Sequence, residues 1–179
     1  MPGIDLLGDV AELTATRVKF NIAFTVEGTS GHVAQDFANL AGLKPFLTAR
    51  AFARIVGDSL LVSVTGSVTS TRSIDAHVCV IPRGHVPAAG TTAYPETAAH
   101  VASVPGSCFV QHSVTSASSP VPLGFPDGVT GQLKPLPVWG VPPTLVVVHE
   151  ILGGSATSKA TIKISGVLEV GGIGFVQTW

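Results

Sequence analysis

Charge is scarce in this chain: 179 residues carry ten Lys+Arg and eleven Asp+Glu, 12% in all, against about 25% for an ordinary soluble domain. A folded monomer of 18.2 kDa exposes about 8,000 Å², so its charges would lie at about half the customary density. No apolar run approaches the eighteen or so residues needed to cross a bilayer, so a membrane span does not account for the shortage. The physical reading is that much of this surface meets protein, which makes the chain an assembly subunit. Net charge is −1 with neutral histidines, and the absence of a basic excess excludes a free-standing nucleic-acid binder that grips phosphates with fixed lysines and arginines.

Other absences narrow the chemistry. Two cysteines, Cys79 and Cys108, are too few for a disulfide scaffold and read as buried thiols in a reducing compartment. The start of the chain has no basic n-region and no long apolar stretch, so no secretory signal is expected. The six histidines (His32, His77, His85, His100, His112 and His149) include no His-x-His or His-Glu-x-x-His spacing, and no metal is expected. No Gly-x-Ser-x-Gly element is present, and Gly171-Gly-Ile-Gly174 has no helix after it, so neither a serine nucleophile nor a phosphate cradle is indicated.

What is present is the vocabulary of short strands and turns: hydrophobic residues at 45%, twenty Gly and thirteen Pro, and a mean hydropathy of +0.48. From Arg17 to Glu27 the pattern has period two. Val18, Phe20, Ile22, Phe24 and Val26 share one face, and Arg17, Lys19, Asn21, Thr25 and Glu27 share the other. His32 to Leu40, Leu60 to Val68, Ile74 to Ile81, Thr144 to Glu150 and Lys159 to Val170 read as further strands, and Ser107 to Ser113 and Val114 to Phe125 hold short apolar pieces broken by Ser-Ser-Pro. Residues 44–56 are the one expected helix, with Pro45 in its first turn, Ala through its middle and Gly57 as its stop. There Arg50 and Arg54 fall four apart on one side. The proline-rich stretches 83–106 and 126–143 read as connections. Together these predict an all-β fold: an eight-stranded antiparallel sandwich with one short helix, preceded by an arm (1–16) and followed by a tail (173–179).

Four segments carry a family resemblance over about residues 17–172. Phe-Leu-Thr-Ala-Arg-Ala-Phe-Ala-Arg (46–54) runs into Asp-Ser-Leu-Leu-Val-Ser-Val (58–64). Val78-Cys-Val-Ile-Pro82 is similar to a Val-Cys-aromatic-Val-Pro strand end. Leu145-Val-Val-Val-His-Glu150 stands at the penultimate strand, and Ala160-Thr-Ile-Lys-Ile-Ser-Gly-Val-Leu-Glu169 at the last, with the same Ser-Gly-x-Leu core. In order and spacing these resemble the coat proteins of tymoviruses and their relatives. The resemblance implies a jelly roll that self-assembles into an icosahedral, T=3 shell around single-stranded genomic RNA. It also implies an RNA charge balanced partly by polyamines, no enzymatic activity, and a place in the virion after assembly in the host cytoplasm.

The expected site residues follow. Arg17 and Lys19, where the arm meets the first strand, are candidates to face RNA without reading its sequence. Arg50 and Arg54 are candidates for a subunit interface. His149 with Glu150, and His100 with Glu96, are the sequence-local pairs that could sense pH at a contact. The rival reading is a lectin-like sandwich that binds a ligand through loop aromatics, here Tyr94, Phe125 and Trp139. A cupin-type enzyme would need histidines and a carboxylate in strand register, and these histidines fall on unrelated segments.

Overall fold

The computed structural model describes residues 15–48, 50–66, 72–82, 95–113, 118–126, 131–134 and 143–172. Most of the arm, the tail, His85, Tyr94, Trp139 and much of both proline-rich connections lie outside the described residues.

Among the described residues ten strands follow in chain order: β1 (Thr16–Glu27), β2 (Ser30–Asp36), β3 (Phe52–Ile55), β4 (Leu61–Gly66), β5 (Ser73–Pro82), β6 (Cys108–Ser113), β7 (Val121–Pro122), β8 (Gln132–Lys134), β9 (Pro143–Leu152) and β10 (Lys159–Gly171). Two short α-helices accompany them, α1 (Lys44–Thr48) and α2 (Ala98–Ala102), with 3-10 turns at Phe37–Asn39 and Gly57–Ser59. All ladders are antiparallel, and the pairing is nested from the outside inward. β1 pairs β10, β2 pairs β9, β3 pairs β8, β4 pairs β7, and β5 pairs β6. That is one long hairpin rolled on itself. β10 closes one sheet (A) by also bonding β4 and β3, and β9 closes the other (B) by also bonding β5. The expected jelly-roll sandwich is present, with β3 and β8 as a short extra pair within sheet A.

The period-two pattern explains the core. Phe20, Ile22 and Val26 of β1 turn inward beside Ile162, Ile164 and Leu168 of β10, and meet Val78, Val80, Leu145 and Val147 of sheet B. β9 is apolar on both faces because its outward side is also covered. Val146 joins Cys79, Ile81 and Val101 in a second cluster beneath α2.

The expected helix over 44–56 is corrected. It ends at Thr48, and Phe52–Ile55 is a strand with Ala53 fully buried. Ala53 lies between Val170 of β10 and Lys134 of β8, so two ladders override the helical preference of its alanines, which is only a weak prior. Arg54 is therefore not on a helix with Arg50. Residues 98–102, within the expected 83–106 connection, form α2. Its N-cap Thr97 accepts from the His100 backbone N–H at 3.3 Å.

Candidate functional site

The two outward sheet faces have opposite charge. On sheet A the outward positions hold Arg17, Lys19, Arg54, Lys159 and Lys163 against Glu27 and Glu169. On sheet B they hold Asp36, Asp75 and Glu150, with His32 and His77 but no Lys or Arg. A chain that is nearly neutral overall is thus a polarised plate.

Three strands build the strongest electrostatic feature. Arg17, Glu169 and Arg54 are direct neighbours across β1, β10 and β3. Glu169 Oε1 accepts from Arg17 Nε at 3.0 Å, and Oε2 accepts from Arg54 Nη2 at 2.6 Å and Nε at 3.1 Å. Only 13% of the Glu169 side chain is exposed, against 71% for Arg17. The Arg54 hydrogen bonds, reinforced by Arg17, hold the Glu169 carboxyl below its ordinary range. Arg54 also lies 5.5 Å over the Phe52 ring. The expected interface residue Arg54 is thus engaged inside its own chain. Arg50 is exposed. Lys19, one outward position along from Arg17, makes no ion pair among the described residues.

Neither expected pH-sensing pair is formed. Successive residues of a strand point to opposite faces, so His149 turns inward, 4% exposed, while Glu150 turns out beside Asp75. Glu96 reaches His32 instead of His100, with Nε2 3.3 Å from Oε1. His32, His77, Asp75, Glu96 and Glu150 line a cleft of about 260 Å³ between α2 and the outward face of sheet B. Sequence reasoning passed over His32, His77, Asp75 and Glu169 as site residues, because their neighbours come from strands far apart in the chain.

His149 has its own chemistry. Its Nε2 stands 3.2 Å from the Glu27 carbonyl, which can only accept, so Nε2 carries the proton. Nδ1 is then a buried acceptor without a partner. The ring lies against Gly31, where an added Cβ would stand 2.9 Å from His149 Cε1. Burial lowers the pKa of the imidazole, and the Glu27 bond opposes this more weakly. The folded chain therefore keeps His149 neutral where the unfolded chain, near pH 6.5 and below, binds a proton. Stability is full above that value and falls as the pH drops toward the lowered native one. Urea unfolding of the protein at pH 7.5 and 5.0 should show a loss of stability at the lower pH that His149→Gln reduces; an unaltered pH dependence would remove His149 as its source.

The thiols are placed for packing. Burial pushes Cys79 up to about 12, helped by the neighbouring Cys108, and Cys108 to about 11, so neither is a nucleophile near neutrality. Among the described residues no group of three His, Cys, Asp or Glu is placed to hold a metal ion, and no helix is long and apolar enough to cross a membrane.

A nested two-sheet roll of this kind is the architecture of viral capsids, lectins and cupins. No family model and no curated protein matches the chain. Solved structures share the fold. A chain of turnip yellow mosaic virus aligns over 92% of this chain and 98% of its own, at 16% identity and a TM-score of 0.64. Desmodium yellow mottle tymovirus aligns over 92% and 86%, at 11% identity and 0.64. Tobacco necrosis virus aligns over 90% and 97%, at 12% identity and 0.62. The chain has the jelly-roll fold of virus capsid chains, tymoviruses among them, and the expected resemblance is borne out at the level of fold.

Proposed function

We propose that this chain is a structural coat subunit that self-assembles into an icosahedral, T=3 shell enclosing single-stranded RNA. The observation that carries the reading is the nested roll shared with the turnip yellow mosaic virus chain over 92% of the sequence. Scarce charge and opposed faces support it, since a surface meant for copies of itself needs little ionic solvation. Arg17 and Lys19 are the residues proposed to meet RNA phosphates. The Arg17–Glu169 contact is mostly solvent-exposed on the arginine side, worth about 0–1 kcal/mol, so the guanidinium can exchange its carboxylate for a phosphate. Balanced composition leaves most RNA charge to other cations, polyamines among them. Arg50 is proposed for a contact between subunits, and assembly for the host cytoplasm. No catalytic role is proposed.

Purified protein should sediment as megadalton particles, round by negative stain, with an absorbance ratio showing nucleic acid; an 18.2 kDa monomer under all conditions would overturn the reading. Replacing Arg17 and Lys19 together by Ala should lower packaged RNA roughly twofold with shells intact. Unchanged RNA content would remove their role.

A further inference from the structure

Each sheet keeps an uncovered outward face, and the two complement one another. Beyond α2, sheet B presents Phe109 and Leu152, each 45% exposed, with the Phe109 ring 4.7 Å from that of His77. Between them runs the row Gln111, Asp75, Glu150. Asp75 and Glu150 are direct cross-strand neighbours, an arrangement in which like charges repel. Gln111 donates to Asp75 Oδ1 at 2.9 Å, but no Lys or Arg among the described residues pairs with either carboxylate. An isolated subunit gains nothing from this row, whereas an incoming cation would relieve it.

Sheet A carries the counterpart. Lys163 is exposed and, among the described residues, without an ion pair, and Lys159 is held by Glu27 at 2.6 Å in a pair that is 61% and 59% exposed. Leu61, 38% exposed, lies two rows from Lys163. Both patches flank the turn between β1 and β2: Glu27 ends β1 beside Lys159, and Ser30 opens β2 beside Glu150. Lys163 lies four residues along β10 from Lys159, so sandwiches standing side by side with the same ends up and offset by that span set Lys163 level with Glu150.

We propose that the outward face of sheet A of one copy docks on the outward face of sheet B of a second copy, with Lys163 against the Asp75–Glu150 row and Leu61 toward Phe109. This rests on the coat-subunit reading and names one of its contacts. Because the two surfaces differ, the contact is head-to-tail, and repetition about a rotation axis closes it into a ring.

Charge exchange tests it. Glu150→Lys and Lys163→Glu should each raise the critical concentration for assembly about tenfold or more, and the double variant should return close to the unsubstituted value. Dissociated Glu150→Lys subunits should melt no lower than the parent, since the change removes the repulsion with Asp75; a merely structural role for Glu150 predicts a lower melting temperature. Should that variant not fold, Glu150→Gln with Asp75→Asn carries the same reading. Single variants that assemble like the parent, or a double variant no better than the singles, would overturn the contact while leaving the coat-subunit reading intact. Loss of packaged RNA from Lys163→Glu with unaltered assembly of empty shells would assign this face to RNA and equally overturn it. A parent protein that never assembles ends both.

Discussion

Phe37→Ala is expected to lower the folding free energy by about 4 kcal/mol, the middle of the range for truncating a buried aromatic. Phe37 opens the 3-10 turn at the end of β2 and is fully buried. Its ring lies 6.4 Å from that of Phe125. The turn is pinned on both sides: Asp36 Oδ1 accepts from Thr144 Oγ1 at 2.7 Å, and the Phe37 carbonyl accepts from Leu40 N–H at 3.2 Å. With the backbone held, the cavity cannot collapse cheaply, so the cavity cost adds to the lost transfer free energy. Against the 5–15 kcal/mol of a typical domain, such a loss raises the unfolded fraction about a thousandfold. Urea titration of the purified protein measures the loss directly. A cost below about 1 kcal/mol would mean that the ring is not holding the end of the sandwich.

Where one face of a strand is buried and the other solvated, alternation alone was enough to read it. Val18 to Val26 and Ile162 to Leu168 face inward as their pattern predicts, and they are paired residue for residue. Alternation is silent where both faces are covered, as in β9, and there the apolar run hid the division between inward His149 and outward Glu150. Propensity misled at Phe52 to Ile55, because an alanine-rich segment says nothing of the two strands that will claim its backbone. The Arg17–Glu169–Arg54 cluster was out of reach for a different reason. Its members are separated by up to 152 residues, and only the register of three strands makes them neighbours. Adjacent titratable residues in sequence were a poor guide, while residues two apart on paired strands, such as Asp75 and His77 opposite Glu150 and Val148, build the charged cleft.

Gly131→Ala should cost about 3 kcal/mol, several times more than Gly28→Ala, because the two glycines are needed for different reasons. Gly28 has φ +90°, a conformation that costs an L residue about 1 kcal/mol. The nearest atom to an added Cβ there is 3.8 Å away, so the backbone conformation is the whole penalty. At Gly131 the obstacle is space. Its carbonyl accepts from Ile55 N–H at 2.8 Å, and an added Cβ would collide with the Ile55 carbonyl oxygen, a backbone atom that cannot swing aside. Relief requires the β3–β8 pair to part, at the place where its register already shifts between Ala53 and Arg54. Parting that pair also loosens Arg54 from Glu169, so the carboxyl should move back up toward its ordinary range. Carboxylate titration followed by NMR would register that movement in Gly131→Ala and not in Gly28→Ala. Equal costs for the two substitutions, or a Glu169 carboxyl that stays low in both, would mean that the short extra pair does not depend on this close approach.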